Sequence, residues 1–233
     1  MQFRPADFRL LIGTHTFGHI TAPFAQSLAT LTGQLGVWGV GHAVHIVQDA
    51  FVTTGRDRLA QACLEGGFTH LLLLDADLEF KPEDVARLLA ADVPLVAGVY
   101  PRKEEGSAFA VLLQEAGDGP MPYNRERKLL AVDGVGAGFM LIRAEVFRAM
   151  AERLPEIAYL QEVEGAFHRR YAFFEQRILA NGHRISEDIL FCRRWRALGG
   201  TVWVAPDLRL RHWGMQVWDG TLADSLSADP PEG

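Results

Sequence analysis

Cysteine is scarce in these 233 residues: Cys63 and Cys192 stand alone, with no second thiol near either. That pattern argues against a disulfide scaffold and a thiolate zinc site. Both lie at helix-like apolar positions and read as small buried hydrophobes. Long apolar runs are missing as well. None approaches the ~20 residues of a membrane-spanning helix, and the opening "MQFRPADFRLLIGT" lacks the charged lead and apolar stretch of a signal peptide. The expectation is a soluble, cytoplasmic protein with no membrane span. A surplus of positive charge is the third absence. The formal net charge is −6, which leaves no excess of lysine and arginine to neutralise phosphates, so stable nucleic-acid binding is not expected. The local run RERK at 125–128 reads as a solvated loop.

What is present is ordinary for a folded protein: 48% hydrophobic and 22% charged residues, in a chain long enough for one domain with a full core. Short apolar runs alternate with helical patterns through the first half. "FRLLIGT", "AVHIVQ", "THLLLLDA" and "VPLVAGVY" read as strands. Between them, "APFAQSLATLTGQ" places Phe24, Leu28 and Leu31 on one helical face, and "GRDRLAQACLEGG" places Leu59 and Cys63 four apart before a glycine pair suited to a helix end. "KPEDVARLLAAD" has Pro82 and acids in its first turn, a marked helix start. This alternation implies a mostly parallel sheet with helices on both faces.

The second half reads differently. Strands are expected within 107–114 and 128–142 with no helix between them, interrupted by "GDGPMPYN" and "GVGAG". A helix "AEVFRAMAERL" follows, then an aromatic and basic segment, 155–185, of poor periodicity. "SEDILFCRRWRALGG" reads as a helix capped by Ser186 and closed by Gly199, followed by a strand "TVWVA" and the run "PDLRLRHWG". The ending "ADSLSADPPEG" reads as disordered.

The four leucines of "THLLLLDADLEF" run straight into Asp75 and Asp77. Residues i and i+2 of a strand share a face, so both carboxylates can aim at one point where the strand meets its loop. In open α/β sheets the ligand crevice lies at that end of the strands. Like charges so placed call for open water or a cation, and oxygen ligands suit magnesium or manganese. Taken alone, the pair reads equally well as two loop acids, one of them helping to cap the helix at Lys81. Further along, Gly136 and Gly138 sit in a glycine-rich turn between two strands, where they permit close backbone approach to a ligand or simply mark a tight turn. Glu187 and Asp188 open a helix, where acids are favoured by about 0.3–1 kcal/mol without any function. His212 ends the run "RLRHWG".

Taken in order, "GRDRL", "LLLLDADLEF", "VAGVYPRK", "VGAGFMLIRAEVF", "SEDILFCRRWRALGG" and "LRHWG" resemble the glycosyltransferases of the GT-A fold, in particular the bacterial and phage branch akin to glycosyltransferase family 2. The resemblance covers most of the chain. It implies an α/β, Rossmann-like, mostly parallel central sheet flanked by helices, with a smaller acceptor-side β region. Residues 1–222 would form one such domain and 223–233 a tail. It also implies roles. Thr14 and His15 would meet the donor nucleoside, and Arg56 the nucleotide or its diphosphate. The family often has asparagine after that arginine, where this chain has Asp57. Asp75 would hold the ribose or the metal's water shell, Asp77 would ligate the metal, and His212 would be its third contact, which favours manganese over magnesium. Ala137 and Gly138 would wall the place where donor sugar and acceptor meet. Asp188 matches the base of inverting members, with Glu187 beside it, and Tyr171, Phe173 and Phe174 would offer ring faces to an acceptor.

The implied activity is a metal-dependent hexosyltransferase reaction, from a nucleoside-diphosphate sugar to a hydroxyl on a glycan, a lipid-linked saccharide, a protein or a modified base. Inversion is expected, with retention the alternative, since related fungal mannosyltransferases share the D-A-D strand. Three other readings compete. A phosphohydrolase of the haloacid dehalogenase type also uses D-x-D, but usually after the first strand and followed by threonine where Glu79 stands. A nucleotidyltransferase would need a glycine-and-arginine phosphate loop that "GTHTFGH" lacks. A GT-A-like module that binds a sugar nucleotide or glycan without turnover would keep the same residues.

Overall fold

The computed structural model describes residues 8–104, 108–114, 122–214 and 216–227. The chain opens with β1 (Arg9–Thr16), α1 (Ala22–Val37), β2 (Gly41–Gln48), α2 (Val52–Glu65) and β3 (His70–Leu74). A two-residue strand β4 (Leu78–Glu79), α3 (Pro82–Leu89) and β5 (Leu95–Gly98) come next. Then follow β6 (Val111–Leu113), β7 (Tyr123–Asn124), β8 (Leu129–Val135), β9 (Phe139–Arg143) and α4 (Ala144–Arg153). Two small hairpins, β10 (Ala158–Val163) with β11 (Ala166–Tyr171) and β12 (Arg177–Ile178) with β13 (Arg184–Ile185), lead to α5 (Glu187–Ala197). The chain closes with β14 (Val202–Ala205), β15 (Leu210–Trp213), β16 (Val217–Gly220) and α6 (Leu222–Ser227).

Among the described residues, nine strands form one mixed sheet in the order β2-β1-β3-β9-β5-β14-β8-β6, with β7 on β8. β1 pairs in parallel with β2 and β3, and β5 with β14. β9 lies antiparallel between β3 and β5, and β8 antiparallel to β14. The expected mostly parallel sheet therefore holds in strand direction for the β2-β1-β3 and β5-β14 blocks, which point the same way. The reversed β9 strand between them makes the sheet mixed.

The leucine run behaves as its composition dictates. Leu71 and Leu73 pack into one apolar cluster and Leu72 and Leu74 into the other, on the opposite face of the sheet. All four are buried, and full burial of each such side chain contributes about 1.5–3 kcal/mol. Helix α1 covers one face with Phe24, Leu28, Leu31 and Leu35, and α2 covers the other with Leu59 and Cys63. Thr21 caps α1 by accepting from the Phe24 N–H at 3.3 Å, and Asp84 accepts from the Lys81 N–H at 2.8 Å to start α3. At the end of α5, Gly199 adopts the left-handed φ of +90° expected of a closing glycine. Ser186 occupies the N-cap position, but its hydroxyl bonds the Asp188 carboxylate instead of a backbone N–H.

Two expectations change. The poorly periodic segment 155–185 contains the β10–β11 hairpin, turned by Glu164 at φ +52° and Gly165 at φ +80°. The ending is folded as far as α6, which Leu222 anchors in the core. The rest of that ending, 228–233, and most of "GDGPMPYN" lie outside the described residues, as does residue 107. Among the described residues no helix is long and apolar enough to cross a membrane.

Candidate functional site

β3, an interior strand, delivers Asp75 to its carboxyl end, where the Asp75 N–H bonds the Gly138 carbonyl at 2.8 Å. The chain then turns and pairs β4 antiparallel with β15, placing Leu78 opposite His212 and Glu79 opposite Arg211. The Trp213 N–H bonds the Asp77 carbonyl at 2.9 Å. Glu79 locks this pairing by accepting from Arg211 at 3.0 Å and from the Trp213 indole at 2.7 Å. The result is a cleft of about 560 Å³ lined by His15, Arg56, Asp75, Asp77, Lys103 and His212, among others.

Arg56 is the charged hub beneath that cleft. It is 5% exposed, with Nη2 2.9 Å from Asp75 Oδ1 and Nη1 2.7 Å from Glu187 Oε1. Burial works against its charge, but Asp75 and Glu187 outweigh burial and hold the guanidinium above its ordinary range. The second oxygen of Asp75 accepts from the Tyr100 hydroxyl at 3.3 Å, and that hydroxyl accepts from the Gly138 N–H at 3.2 Å. Burial, then the Asp75 charge, push the Tyr100 phenol well above its usual value, so it stays a donor. A side chain at Gly138 would collide with this arrangement: its Cβ would lie 2.2 Å from Asp75 Oδ2. Gly55 has the same role at α2, since a Cβ there would meet the His15 ring at 2.3 Å.

His212 Nε2 lies 3.4 Å from Asp77 Oδ1, and its Nδ1 lies 2.9 Å from the Pro101 carbonyl oxygen. A carbonyl only accepts, so Nδ1 carries a proton. In a neutral ring Nε2 would then present a lone pair to a carboxylate oxygen, an arrangement that a proton or a cation between them relieves. A ring nitrogen oriented through a backbone carbonyl on its far side is also the usual setting of a metal-bound histidine. Burial pushes the Asp77 carboxyl up, but the His212 and Lys103 contacts outweigh it and keep it below the ordinary carboxylate range. Lys103 Nζ is 2.5 Å from Asp77 Oδ2. Among the described residues no group of three or more His, Cys, Asp or Glu is arranged to hold a metal. Asp77 and His212 therefore fit a hard divalent cation only if phosphate oxygens and waters complete its shell, as magnesium-type sites commonly do.

The remaining expected residues are placed as follows. Glu187 is engaged by Arg56 and, at 3.4 Å, by Gln176. Asp188 opens α5 close enough to Arg56 and Tyr100 to act on their charge. Burial, then the neighbouring Glu187, raise the Asp188 carboxyl above its ordinary value, against the pull of the Ser186 hydroxyl, Arg56 and the Ile189 N–H. Thr14 is wholly buried and its hydroxyl finds no partner among the described residues, while His15 and Thr16 line the cleft. Ala137 is buried, and Gly138 abuts Asp75. Asp57 accepts from the Phe174 N–H at 2.8 Å. Phe173 and Phe174 are core residues packed on Phe147 and Phe191, so their rings offer no free face. The exposed rings lie elsewhere. Phe17 and Phe51, each 68% exposed, line a second cleft of about 610 Å³ that shares Phe17 and Val52 with the first. Tyr100 and Lys103 had no assigned role in the sequence; the signal was their place in "VAGVYPRK", just past the end of a sheet strand.

The fold and cleft define a mixed α/β protein with a large central sheet flanked by helices and an acid-rich site beyond the carboxyl end of β3. No family model and no curated protein matches the sequence. Among solved structures, A197 from STIV is similar over 91% of this chain and 94% of its own, with a TM-score of 0.52 at 16% identity, a likeness of fold alone. A glycosyltransferase involved in the glycosylation of the major capsid of PBCV-1 gives a TM-score of 0.34 at 11% identity, over 62% of this chain and 67% of that one, too low to carry an argument.

Proposed function

We propose that this chain is a GT-A glycosyltransferase that moves a hexosyl group from a nucleoside-diphosphate sugar to a hydroxyl acceptor, with manganese or magnesium at Asp77 and His212. The observation that carries the reading is the convergence of Asp77 Oδ1 and His212 Nε2 at 3.4 Å, 135 positions apart in sequence, in one cleft with Arg56 and Asp75. The ordered motifs from "GRDRL" to "LRHWG" support the same reading.

In this reaction the bond between the anomeric carbon and the diphosphate oxygen breaks, and a bond to the acceptor oxygen forms. A bound divalent cation supplies Lewis-acid stabilisation of the charge that the leaving diphosphate gains. Arg56 fixes Asp75 at the cleft floor, and Tyr100 holds the second Asp75 oxygen, so that this carboxylate is set for a ribose hydroxyl. Asp188 takes the acceptor's proton. Its raised proton affinity makes it a stronger base near neutral pH than an exposed aspartate. Glu187 positions Arg56.

The test is a melting-temperature screen against uridine, guanosine, thymidine and cytidine diphosphates, each with and without manganese, followed by slow hydrolysis of a sugar nucleotide carrying the selected base. The expected outcome is metal-dependent stabilisation by one base, about 2.7 kcal/mol at a hundredfold excess over Kd, lost in Asp77→Asn. Full metal-dependent turnover by Asp77→Asn would remove the metal assignment.

A further inference from the structure

We propose that Lys103 is a tethered counter-cation, holding Asp77 in the nucleotide-free protein and passing to the diphosphate when the donor binds. The inference rests on the reading of the cleft as a diphosphate site and adds a residue and an order of binding to it.

The geometry is specific. The Lys103 ammonium contacts Asp77 Oδ2 at 2.5 Å while His212 faces Oδ1 at 3.4 Å, so each carboxylate oxygen has its own partner. The backbone around Lys103 is pinned. The Pro101 carbonyl accepts from His212 at 2.9 Å, the Arg102 N–H bonds the Ala108 carbonyl at 2.8 Å, and the Glu104 carbonyl accepts from the Trp218 indole at 3.1 Å. The lysine stem lies across Gly214, where a Cβ would come within 3.3 Å of Cδ. The freedom left to Lys103 is that of its side chain, which is 33% exposed and lines the cleft.

Charge then sets the sequence of events. A divalent cation approaching Asp77 on its own meets an ammonium already seated there, and like charges a few ångströms apart repel. A diphosphate carries enough negative charge to accept both cations, and a flexible lysine is a common phosphate partner. The protein is thereby biased against binding metal without nucleotide, and Lys103 serves as a diphosphate-binding residue once both are present.

The test measures manganese binding to the nucleotide-free protein by paramagnetic resonance of the free ion. It also measures inorganic pyrophosphate binding in saturating manganese by calorimetry, which needs no knowledge of the donor base. Lys103→Met is expected to bind manganese alone about tenfold more tightly and pyrophosphate about tenfold more weakly than the parent protein. Lys103→Arg, which keeps the charge, should stay near the parent in both. A Lys103→Gln variant guards against a folding defect peculiar to Met. Unchanged or weaker manganese binding in folded Lys103→Met and Lys103→Gln, or unchanged pyrophosphate binding, would overturn the proposal. If the parent binds manganese pyrophosphate and the variants match it, only the role of Lys103 falls. If the parent binds neither probe, the diphosphate reading falls and takes this one with it.

Discussion

Arg56 Nη1 lies 2.7 Å from Glu187 Oε1, joining the second turn of α2 to the first residue of α5 across 131 positions of sequence. Both side chains are almost wholly buried, at 7% and 10% exposure. Removing one partner of a buried pair leaves the other without compensation. Glu187→Ala is expected to destabilise by on the order of 3 kcal/mol, read as a lower urea midpoint at unchanged slope. Glu187→Gln keeps an acceptor oxygen for Arg56 and should recover part of that loss.

Asp57 makes stability depend on pH in an unusual direction for an aspartate. Burial pushes its carboxyl from 3.8 up to about 8, against the opposing hydrogen bonds from the Phe174 and Phe173 N–H groups. The folded protein keeps a proton there that the unfolded chain releases. This contribution is fully present below the unfolded value of 3.8 and is lost as pH rises through about 8. Asp57→Asn retains an acceptor for Phe174 and cannot ionise. Its melting temperature should fall less than that of the parent between acid and pH 8.5, with each kcal/mol worth roughly 2–4 °C at this size. Parallel pH curves would mean that Asp57 is already ionised in the folded protein.

The parts of the site that the sequence made legible are those carried by continuous local pattern. Leu71–Leu74 announce a strand covered on both faces, and Asp75 and Asp77 inherit their position from where that run ends. The placement of His212 beside Asp77 depends on β4, a strand of only two residues, too short to show any period. The β10–β11 hairpin escaped because Leu160 and Phe167 remain exposed, so its apolar residues follow no buried face; the Glu164–Gly165 pair was the usable signal. Phe173 and Phe174 misled for the opposite reason. An aromatic pair has the same composition in a core as at a platform, and only packing against Phe147 and Phe191 separates the two. Tyr100 and Lys103 were marked only by their place just past the end of β5; that they meet Asp75 and Asp77 depends on how the chain folds back after that strand.

Gly138 offers a test of how tightly the acid cluster is built. Its absent side chain is replaced in space by Asp75 Oδ2 and the Tyr100 hydroxyl, which an added Cβ would meet at 2.2 and 2.6 Å. Asp75 is held by Arg56 and by its own N–H bond to the Gly138 carbonyl, so it has no cheap retreat. Gly138→Ala should cost about 1–3 kcal/mol and abolish nucleotide-dependent stabilisation. Gly33→Ala, in the exposed interior of α1 with nothing within 4 Å of the new Cβ, should raise stability by about 0.5–1 kcal/mol and leave nucleotide binding intact. Equal effects at both positions would mean that the Asp75 site tolerates rearrangement.

Asp188 separates catalysis from binding. Its carboxyl is raised above the ordinary value, first by burial and then by Glu187, and as a base it must be ionised to accept the acceptor's proton. Turnover should therefore rise with pH along a limb centred above the usual aspartate range, since the ionised fraction grows as pH passes the raised value. Asp188→Asn is close to isosteric and keeps an oxygen for the Ile189 N–H, so the start of α5 should survive. The expected result is a fall in kcat of roughly 10²–10⁴-fold, with donor affinity little changed and the acid limb gone. A variant that instead weakens donor binding while turning over normally would place Asp188 at the donor and make a retaining mechanism the better account. The anomeric configuration of the product, read by proton resonance of the anomeric centre, decides between the two: an inverted product requires a base on the acceptor's face, and Asp188 is the residue proposed to supply it.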